Sequence, residues 1–410
     1  MKQSFTSQFF ADNRTRLKEA LGSTAPIVLT ANGLLQRGGD TTYPFHQDAS
    51  FWYFTGIDEP DVVLVCDKNE EFLIVPIRES SRLAFDGKID EVQLRRNSGI
   101  ELIFHEVEGW KRLNIQLAKT KQVATIAVAP DYIEQLGMYT NPARKRFISN
   151  LQSHHPHLKL LDITKNIARQ RVIKQPLEIA AIQKAIDITL SSLDRVLQPS
   201  KLATYIYEFE IEAELNYDFR HSGAQGHAFA PIIAGGEHAC ILHNVANDGM
   251  LVNNQLLLCD VGAEYDHYAA DITRTVCIGT PSKRQVVVYG AVLETQDYAL
   301  SLLRPGVILK EYERQVEQFL AIKLRSLNLI SSSEHKQVRR FMPHATSHFL
   351  GLNAHDVGLY DQPLEIGMVL TAEPGIYIPD EAIGVRIEDD VLITRSGNSV
   401  LSSKLGRQLT

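Results

Sequence analysis

The chain has 410 residues, of which 44% are hydrophobic and 22% charged, a composition typical of soluble globular proteins. A single hydrophobic core stops growing at about 250–300 residues, so two domains are expected. The formal net charge of −7 offers no basic surface and argues against nucleic acid as a partner. The sequence has neither an apolar run of about 18 residues nor a signal segment, so no membrane association is predicted.

The four cysteines are scattered along the chain, and none belongs to a CxxC pair. This spacing indicates neither a zinc ribbon nor a redox motif. Reduced and mostly buried cysteines are typical of cytosolic proteins, and we therefore predict a cytoplasmic location.

The first third of the chain is predicted to be an α/β domain. Apolar runs at residues 26–31 and 122–129 indicate buried strands. Residues 61–66 and 71–77 flank the turn-rich tetrad at 67–70, which predicts a β-hairpin.

The character of the sequence changes near residue 166. A basic stretch at 165–174 leads to Pro176, after which apolar residues recur at helical spacing until Pro199. Proline is accepted in the first turn of a helix, where its missing N–H costs nothing. We place the domain boundary here, giving an N-terminal domain at 1–165 and a C-terminal domain at 166–410.

The C-terminal domain is predicted to mix helices with mostly antiparallel strands, which indicates the α+β fold class. Further helices are predicted at 202–217, 283–303 and 310–327, and strands at 255–263, 268–278, 367–373 and 384–394.

Two aspartates lie in the strand-like runs of residues 256–276, on either side of a short turn. A two-residue turn at Tyr265-Asp266 would place Asp260 directly opposite Asp271 on one side of the sheet. Opposed carboxylates repel each other, and aspartate is a poor strand residue. A bound cation would offset both costs, although two solvated loop aspartates would explain this segment alone.

Three further segments carry candidate ligands. Residues 342–356 hold His344, His348 and His355 within 12 positions, which is unusual for a chain with 14 histidines. Glu373 ends an apolar strand before a Pro-Gly turn, and Glu388 lies in the run GVRIEDDVLI. Each segment alone also fits surface residues without a ligand.

Together the segments predict a metal site of four carboxylates and one imidazole. Such ligands suit hard or borderline divalent ions such as Mn²⁺, with Co²⁺ or Zn²⁺ as alternatives. Five protein ligands are too many for one catalytic ion with open positions, and they suit two ions about 3.5–4 Å apart. A water molecule bridging both ions would be acidified to a hydroxide that attacks an amide carbonyl.

These segments resemble the pita-bread metallopeptidases, and within them the aminopeptidase P group. The ligand order Asp, Asp, His, Glu, Glu matches, as do the flanking words DITRT, HFLGL, EPGIY and RIEDD. Residues 43–60, YPFHQDASFWYFTGIDEP, resemble the N-terminal domain signature of proline peptidases. The resemblance implies a pita-bread catalytic domain behind a smaller α/β domain. It also implies release of the first residue from peptides with proline in the second position.

The resemblance implies a role for each metal ligand. Asp260 would bind one ion with both oxygens, while Asp271 and Glu388 bridge the pair. His348 and Glu373 would complete the shell of the second ion, and Glu373 would also accept a proton from the attacking water.

The resemblance assigns five more residues to substrate and catalysis. His243 would hold the substrate near the scissile bond, and His355 would stabilise the tetrahedral oxyanion. His344, Arg386 and Tyr377 would line the substrate pocket. A homodimer or homotetramer is implied as well.

Three alternatives share parts of this pattern. A prolidase, which cleaves only X–Pro dipeptides, has the same metal ligands. A non-catalytic pita-bread binding protein usually lacks some of the metal ligands, whereas all five are present in this sequence. A methionine aminopeptidase shares the ligands but normally lacks the N-terminal domain.

Overall fold

The computed structural model describes residues 5–22 and 25–409 of the chain. These residues form two compact units, Phe5–Gln170 and a second unit that begins at Arg171. The boundary predicted at 165/166 lies inside a helix, Thr164–Val172. The predicted domain ranges also include residues 1–4, 23–24 and 410, which lie outside the described residues.

The first unit alternates helices and strands. Its helices are α1 (Ser7–Leu21), α2 (Ala49–Thr55), α3 (Ser80–Asp86), α4 (Glu91–Ser98), α5 (Glu106–Leu117) and α6 (Ala143–His154). Its strands are β1 (Ile27–Thr30), β2 (Gln36–Gly38), β3 (Thr41–Thr42), β4 (Val63–Cys66), β5 (Glu71–Val75), β6 (Leu102–His105), β7 (Gln122–Thr125), β8 (Tyr132–Ile133), β9 (Met138–Tyr139) and β10 (Lys159–Asp162).

A six-stranded sheet in the order β10-β7-β1-β4-β5-β6 forms the centre of this unit. The pairs β10–β7, β7–β1 and β5–β6 are parallel, whereas β4 runs antiparallel to both of its neighbours. The α/β character of the domain is therefore confirmed. The predicted hairpin is β4–β5, and Asp67 closes its turn by accepting the N–H groups of Asn69 and Glu70 at 2.6 and 2.9 Å.

The second unit follows α7 (Thr164–Val172). Its helices are α8 (Pro176–Val196), α9 (Pro199–Leu202), α10 (Glu208–His221), α11 (Lys283–Leu302), α12 (Leu309–Ser326) and α13 (His335–Arg339), with 3₁₀ turns at Gly236–Cys240 and Pro379–Glu381. Its strands are β11 (Gly226–His227), β12 (Ile232–Gly235), β13 (Leu256–Val261), β14 (Ala263–Tyr265), β15 (Tyr268–Ala269), β16 (Ile272–Cys277), β17 (Val369–Ala372), β18 (Gly375–Ile378), β19 (Ile383–Arg386), β20 (Asp389–Thr394) and β21 (Gly397–Val400).

Strands of the second unit pair antiparallel in small sheets, with the orders β11-β14-β15, β12-β13-β16, β17-β20-β21 and β18-β19. Helices α11 and α12 pack their apolar sides against these strands, where Val292, Leu320 and Val385 are fully buried. This arrangement confirms the α+β class. Across 5–22 and 25–409, no helix combines the length and apolarity that a membrane crossing requires.

Two predicted elements of this unit differ from the structure. The helix expected at 202–217 begins only at Glu208, because Glu210 accepts the N–H of Tyr207 at 2.9 Å and fixes the helix start there. The single strand expected at 384–394 is divided between β19 and β20, which belong to different sheets. Ile387 and Glu388 lie between the two strands and belong to neither.

Candidate metal centre

The hairpin that carries the two aspartates turns one residue later than predicted. Tyr265 pairs with Tyr268, so the turn residues are Asp266 and His267. Both have positive φ angles, 47° and 67°, as a two-residue hairpin turn of the primed kind requires. The strand ladder is shifted accordingly, and the cross-strand partner of Asp260 is Thr273.

The predicted direct opposition of Asp260 and Asp271 is therefore wrong, but they share one side of the sheet. Asp271 precedes Thr273 by two residues, and side chains two apart on extended chain point the same way. The two carboxylates are diagonal neighbours. Both are buried, at 8% and 5% exposure.

The segment that carries His348 runs beside strand β17. The N–H of Thr371 donates to the carbonyl of His348 at 3.0 Å, and the N–H of Glu373 donates to that of Thr346 at 2.8 Å. His348 and Glu373 are thereby held on neighbouring chains. The Nε2 atom of His348 lies 3.4 Å from Oε1 of Glu373 and 3.5 Å from Oδ2 of Asp271.

The break between β19 and β20 positions Glu388. Its N–H donates to the carbonyl of Thr273 at 3.1 Å, and the Thr273 hydroxyl donates to its Oε2 at 2.7 Å. Glu388 is 1% exposed. The side chain is thus fixed against the strand that follows Asp271.

Asp271, His348 and Glu388 each offer a ligand atom, and these three atoms lie within 4.8 Å of one another. Glu373 adjoins this group through its contact with His348. Asp260 is linked to it electrostatically, since it raises the pKa of both Asp271 and Glu388. The structure thus gathers the predicted ligands from four distant segments of the chain.

The carboxylates of this group repel one another strongly. Burial together with Glu388 and Asp260 holds the pKa of Asp271 well above its ordinary value. Burial and Glu388 do the same for Glu373, and burial with Asp260 raises the pKa of Glu388 to about 8. Burial lowers the pKa of His348 to about 4, so its imidazole is neutral and able to coordinate a metal.

Two buried oxygens of the group point to a bound cation. Within the described part of the chain, Oδ1 of Asp260 and Oε1 of Glu388 have no hydrogen-bond partner. An unsatisfied buried acceptor costs about 1–3 kcal/mol, and more when it is charged. Divalent ions would give these oxygens partners and relieve the repulsion, so the donor set fits the predicted metals.

Arg386, Tyr377 and His344 form a hydrogen-bonded chain next to the ligands. Arg386 donates to Oδ2 of Asp260 at 2.5 Å and to the hydroxyl of Tyr377 at 2.8 Å. That hydroxyl lies 2.8 Å from Nε2 of His344. The predicted pocket residues are therefore connected to a metal ligand, and Arg386 fixes one oxygen of Asp260.

Replacing Tyr377 by phenylalanine is expected to lower the free energy of unfolding by about 1–3 kcal/mol, because Arg386 and His344 each lose a buried partner. Urea unfolding monitored by circular dichroism measures this change. The matched control is Tyr217→Phe, which removes a hydroxyl from a side chain that is 62% exposed. Equal unfolding free energies for the two variants would contradict the role of Tyr377.

His355 lies beside the ligand His348. Their rings stack with centroids 3.9 Å apart and planes 14° apart. Partial burial and His243 lower the pKa of His355, and His243 also contributes to the low pKa of His344. His243 therefore lies close enough to interact electrostatically with both His344 and His355.

Three polar residues beside the centre were not predicted. Thr273 receives a hydrogen bond from Arg386 Nε at 3.1 Å while donating to Glu388. Asp390 accepts the N–H of Asp271 at 3.1 Å, and Asp389 pairs with Arg274 at 2.7 Å. The sequence signal was available, because Thr273 and Asp390 each follow a predicted ligand by two positions and so share its side of the strand.

A second group of possible ligands, Glu208, His238 and Asp248, lies elsewhere in this unit. Glu208 already accepts the N–H groups of Gly235 and Gly249 at 2.7 and 2.8 Å. His238 contacts both of its oxygens at 3.1 Å. These partners explain the buried carboxylate without an ion.

Comparison with known proteins identifies the family of this chain. Residues 180–395 match metallopeptidase family M24, and residues 10–124 match the aminopeptidase P N-terminal domain. A Xaa-Pro aminopeptidase from Haemophilus influenzae is 34% identical over 98% of this chain and 95% of its own. The structure of aminopeptidase P from Escherichia coli in its low-pH form matches with a TM-score of 0.86 and 30% identity over 98% of this chain and 96% of that one.

A zinc-substituted form of the Escherichia coli enzyme in complex with product matches with a TM-score of 0.85 and 28% identity, covering 98% of this chain and 96% of that chain. The family match covers more than half of the sequence and contains all the predicted ligands. On these grounds the chain belongs to metallopeptidase family M24.

Proposed function

We propose that this protein is a dinuclear metal-dependent aminopeptidase that releases the first residue from peptides with proline in the second position. The observation that carries the proposal is the buried group of Asp271, His348 and Glu388, whose ligand atoms lie within 4.8 Å of one another. The relatives named as Xaa-Pro aminopeptidases, which align over nearly the whole chain, support the substrate class.

The metal ligands in this proposal are Asp260, Asp271, His348, Glu373 and Glu388. Manganese is the proposed ion, with cobalt or zinc as substitutes, because four of the five ligands are carboxylates. Ions held there would acidify a bound water molecule and polarise the scissile carbonyl.

Two side chains are proposed to act on the reacting atoms. Glu373 retains 15% exposure of its side chain and has a raised pKa, which suits a group that accepts a proton from the attacking water. His355 would donate an N–H to the oxyanion that develops on the carbonyl. Its stacking on His348 supports this role, because the stack holds the ring beside a metal ligand.

The substrate is proposed to lie among His243, His344, Arg386 and Tyr377. An X–Pro bond has no N–H, so a peptidase that relies on that donor cannot hold it well. A pocket built from imidazole and phenol rings would accept the proline ring instead. The exposed position of His243 supports contact with an incoming peptide.

We expect the purified protein with added Mn²⁺ to release the first residue from X-Pro-Y tripeptides. The matched control substrate is X-Ala-Y, for which kcat/KM should be at least about tenfold lower because the proline pocket stays unfilled. Liquid chromatography of the products measures both rates. Hydrolysis confined to X–Pro dipeptides would identify a prolidase, and no hydrolysis with confirmed metal occupancy would identify a binding protein.

We also propose a cytoplasmic location and a dimeric or tetrameric assembly, with no nucleic-acid or membrane partner. The four cysteines are free, and Cys66, Cys259 and Cys277 are buried, which supports a reducing compartment. Size-exclusion chromatography with light scattering tests the assembly.

A further inference from the structure

A group of buried charges anchors the loop that joins the two stacked histidines. Asp356, which directly follows His355, receives a hydrogen bond from Arg171 at 2.5 Å on Oδ1 and from Lys174 at 3.1 Å on Oδ2. The three side chains are 1%, 3% and 1% exposed, respectively. Removing the carboxylate would leave two buried cations without their partner, which is strongly destabilising.

The anchor residues are themselves fixed in the second unit. Lys174 donates from Nζ to the carbonyl of Arg171 at 3.0 Å and from its backbone N–H to the carbonyl of Gly367 at 2.8 Å. Two residues after Gly367, β17 begins and runs beside the segment of His348. Arg171 and Lys174 therefore fix the position of Asp356 next to β17, the strand that also aligns the metal ligand His348.

The loop itself is closed around Asp356. The N–H of Asp356 donates to the carbonyl of Phe349 at 2.8 Å. A Cβ atom at Gly351 would lie 2.2 Å from Oδ2 of Asp356 and 2.9 Å from Nζ of Lys174, so only glycine leaves room for the ion pair. The carbonyl of Gly351 accepts the N–H of Ala269 at 2.8 Å, which ties the loop to the hairpin two residues before Asp271.

We propose that Asp356, clamped by Arg171 and Lys174, is the positioning residue that fixes the imidazole of His355 beside the metal centre. The loop has one end at the ligand His348 and the other at His355, and the clamp sets the distance between them. The inference rests on the proposed role of His355 in oxyanion stabilisation.

A double-mutant cycle on the metal-loaded full chain tests the proposal. We expect Asp356→Asn to lower kcat by about 100-fold, because a displacement of about 1 Å of a catalytic group has an effect of that size. KM and metal content, measured by kinetics and by inductively coupled plasma mass spectrometry, should stay near the wild-type values. In the His355→Ala background the same substitution should change kcat by less than about twofold, because the group that it positions is already absent.

The matched control is Asp218→Asn on helix α10, which breaks the pair between this carboxylate and Arg195 on helix α8. It should change kcat by less than about twofold in either background. Gly351→Ala displaces the Asp356 carboxylate without removing its charge, and it replaces Asp356→Asn in the cycle if that variant does not fold.

The possible failures are distinguishable. Full kcat in Asp356→Asn, or an equal loss of kcat with and without His355, would overturn the positioning role and leave the proposed function intact. Full kcat in His355→Ala would overturn the proposed role of His355 and this inference with it. A loss of metal in Asp356→Asn that matches the loss of kcat would show that Asp356 supports metal binding instead of positioning His355. This result would also overturn the inference.

Discussion

The Asp271→Ala variant is expected to lose both its bound metal and its peptidase activity. Asp271 contributes one of the three ligand atoms that lie within 4.8 Å of one another. Since the proposed chemistry requires the metal, kcat/KM should fall by more than about 1000-fold. Metal content is measured by inductively coupled plasma mass spectrometry, and kcat/KM is measured with an X-Pro-Y tripeptide.

The variant should nevertheless fold. Alanine removes one of several buried carboxylates that repel one another, so the metal-free protein loses an unfavourable interaction. Asp380→Ala, at an exposed aspartate in the same unit, is the matched control and should keep full activity and metal content. Two bound metals and an unchanged rate in Asp271→Ala would refute the site.

Removal of the metal ions with a chelator is expected to destabilise the protein, and more strongly at pH 8 than at pH 6. In the absence of a cation, burial and Asp260 raise the pKa of Glu388 from 4.5 to about 8. Between these values the folded, metal-free protein binds more protons than the unfolded chain. Its stability therefore falls as the pH rises through that window. Asp271 and Glu373, whose pKa values are also raised, act in the same direction.

Metal binding replaces the protons, so the stabilisation that it provides should grow with pH. An ion present at 100 times its dissociation constant adds about 2.7 kcal/mol, or a rise in Tm of roughly 5–10 °C for a unit of this size. His348 does not complicate the comparison, because burial lowers its pKa to about 4 and it is neutral at both pH values.

Differential scanning fluorimetry with and without Mn²⁺ at pH 6 and pH 8 measures this dependence. The Asp271→Ala variant serves as the control and should show little metal-dependent shift at either pH. A shift in Tm that is equal at both pH values, or larger at pH 6, would show that these carboxylates do not compete with protons for the metal.

Local sequence patterns were sufficient to predict many elements of the fold. Helix α8 was predicted from Pro176 and the apolar spacing that follows it, and it spans Pro176–Val196. The hairpin β4–β5 followed from its turn residues. Such patterns succeed because helix spacing and turn chemistry depend on residues a few positions apart.

The register of the hairpin that carries Asp260 and Asp271 could be determined only from the structure. The assumption of a two-residue turn correctly indicated that Asp260 and Asp271 share one side of the sheet. The turn at Asp266 and His267 decided that Thr273, not Asp271, lies opposite Asp260. The residue preferences of a turn barely distinguish two positions that differ by one residue. A turn that moves by one residue nevertheless shifts every cross-strand partner by two.

The sequence by itself determined which residue types are available for chemistry, and their order identified the family. Only the tertiary structure decided which of them meet. Glu388 reaches the centre because the strand is interrupted between β19 and β20. Asp356 is bound by Arg171 and Lys174, which lie more than 180 positions earlier in the sequence. These contacts depend on packing between distant segments, which no local pattern encodes, because burial makes the energy of each charge depend on the partners that the fold brings to it.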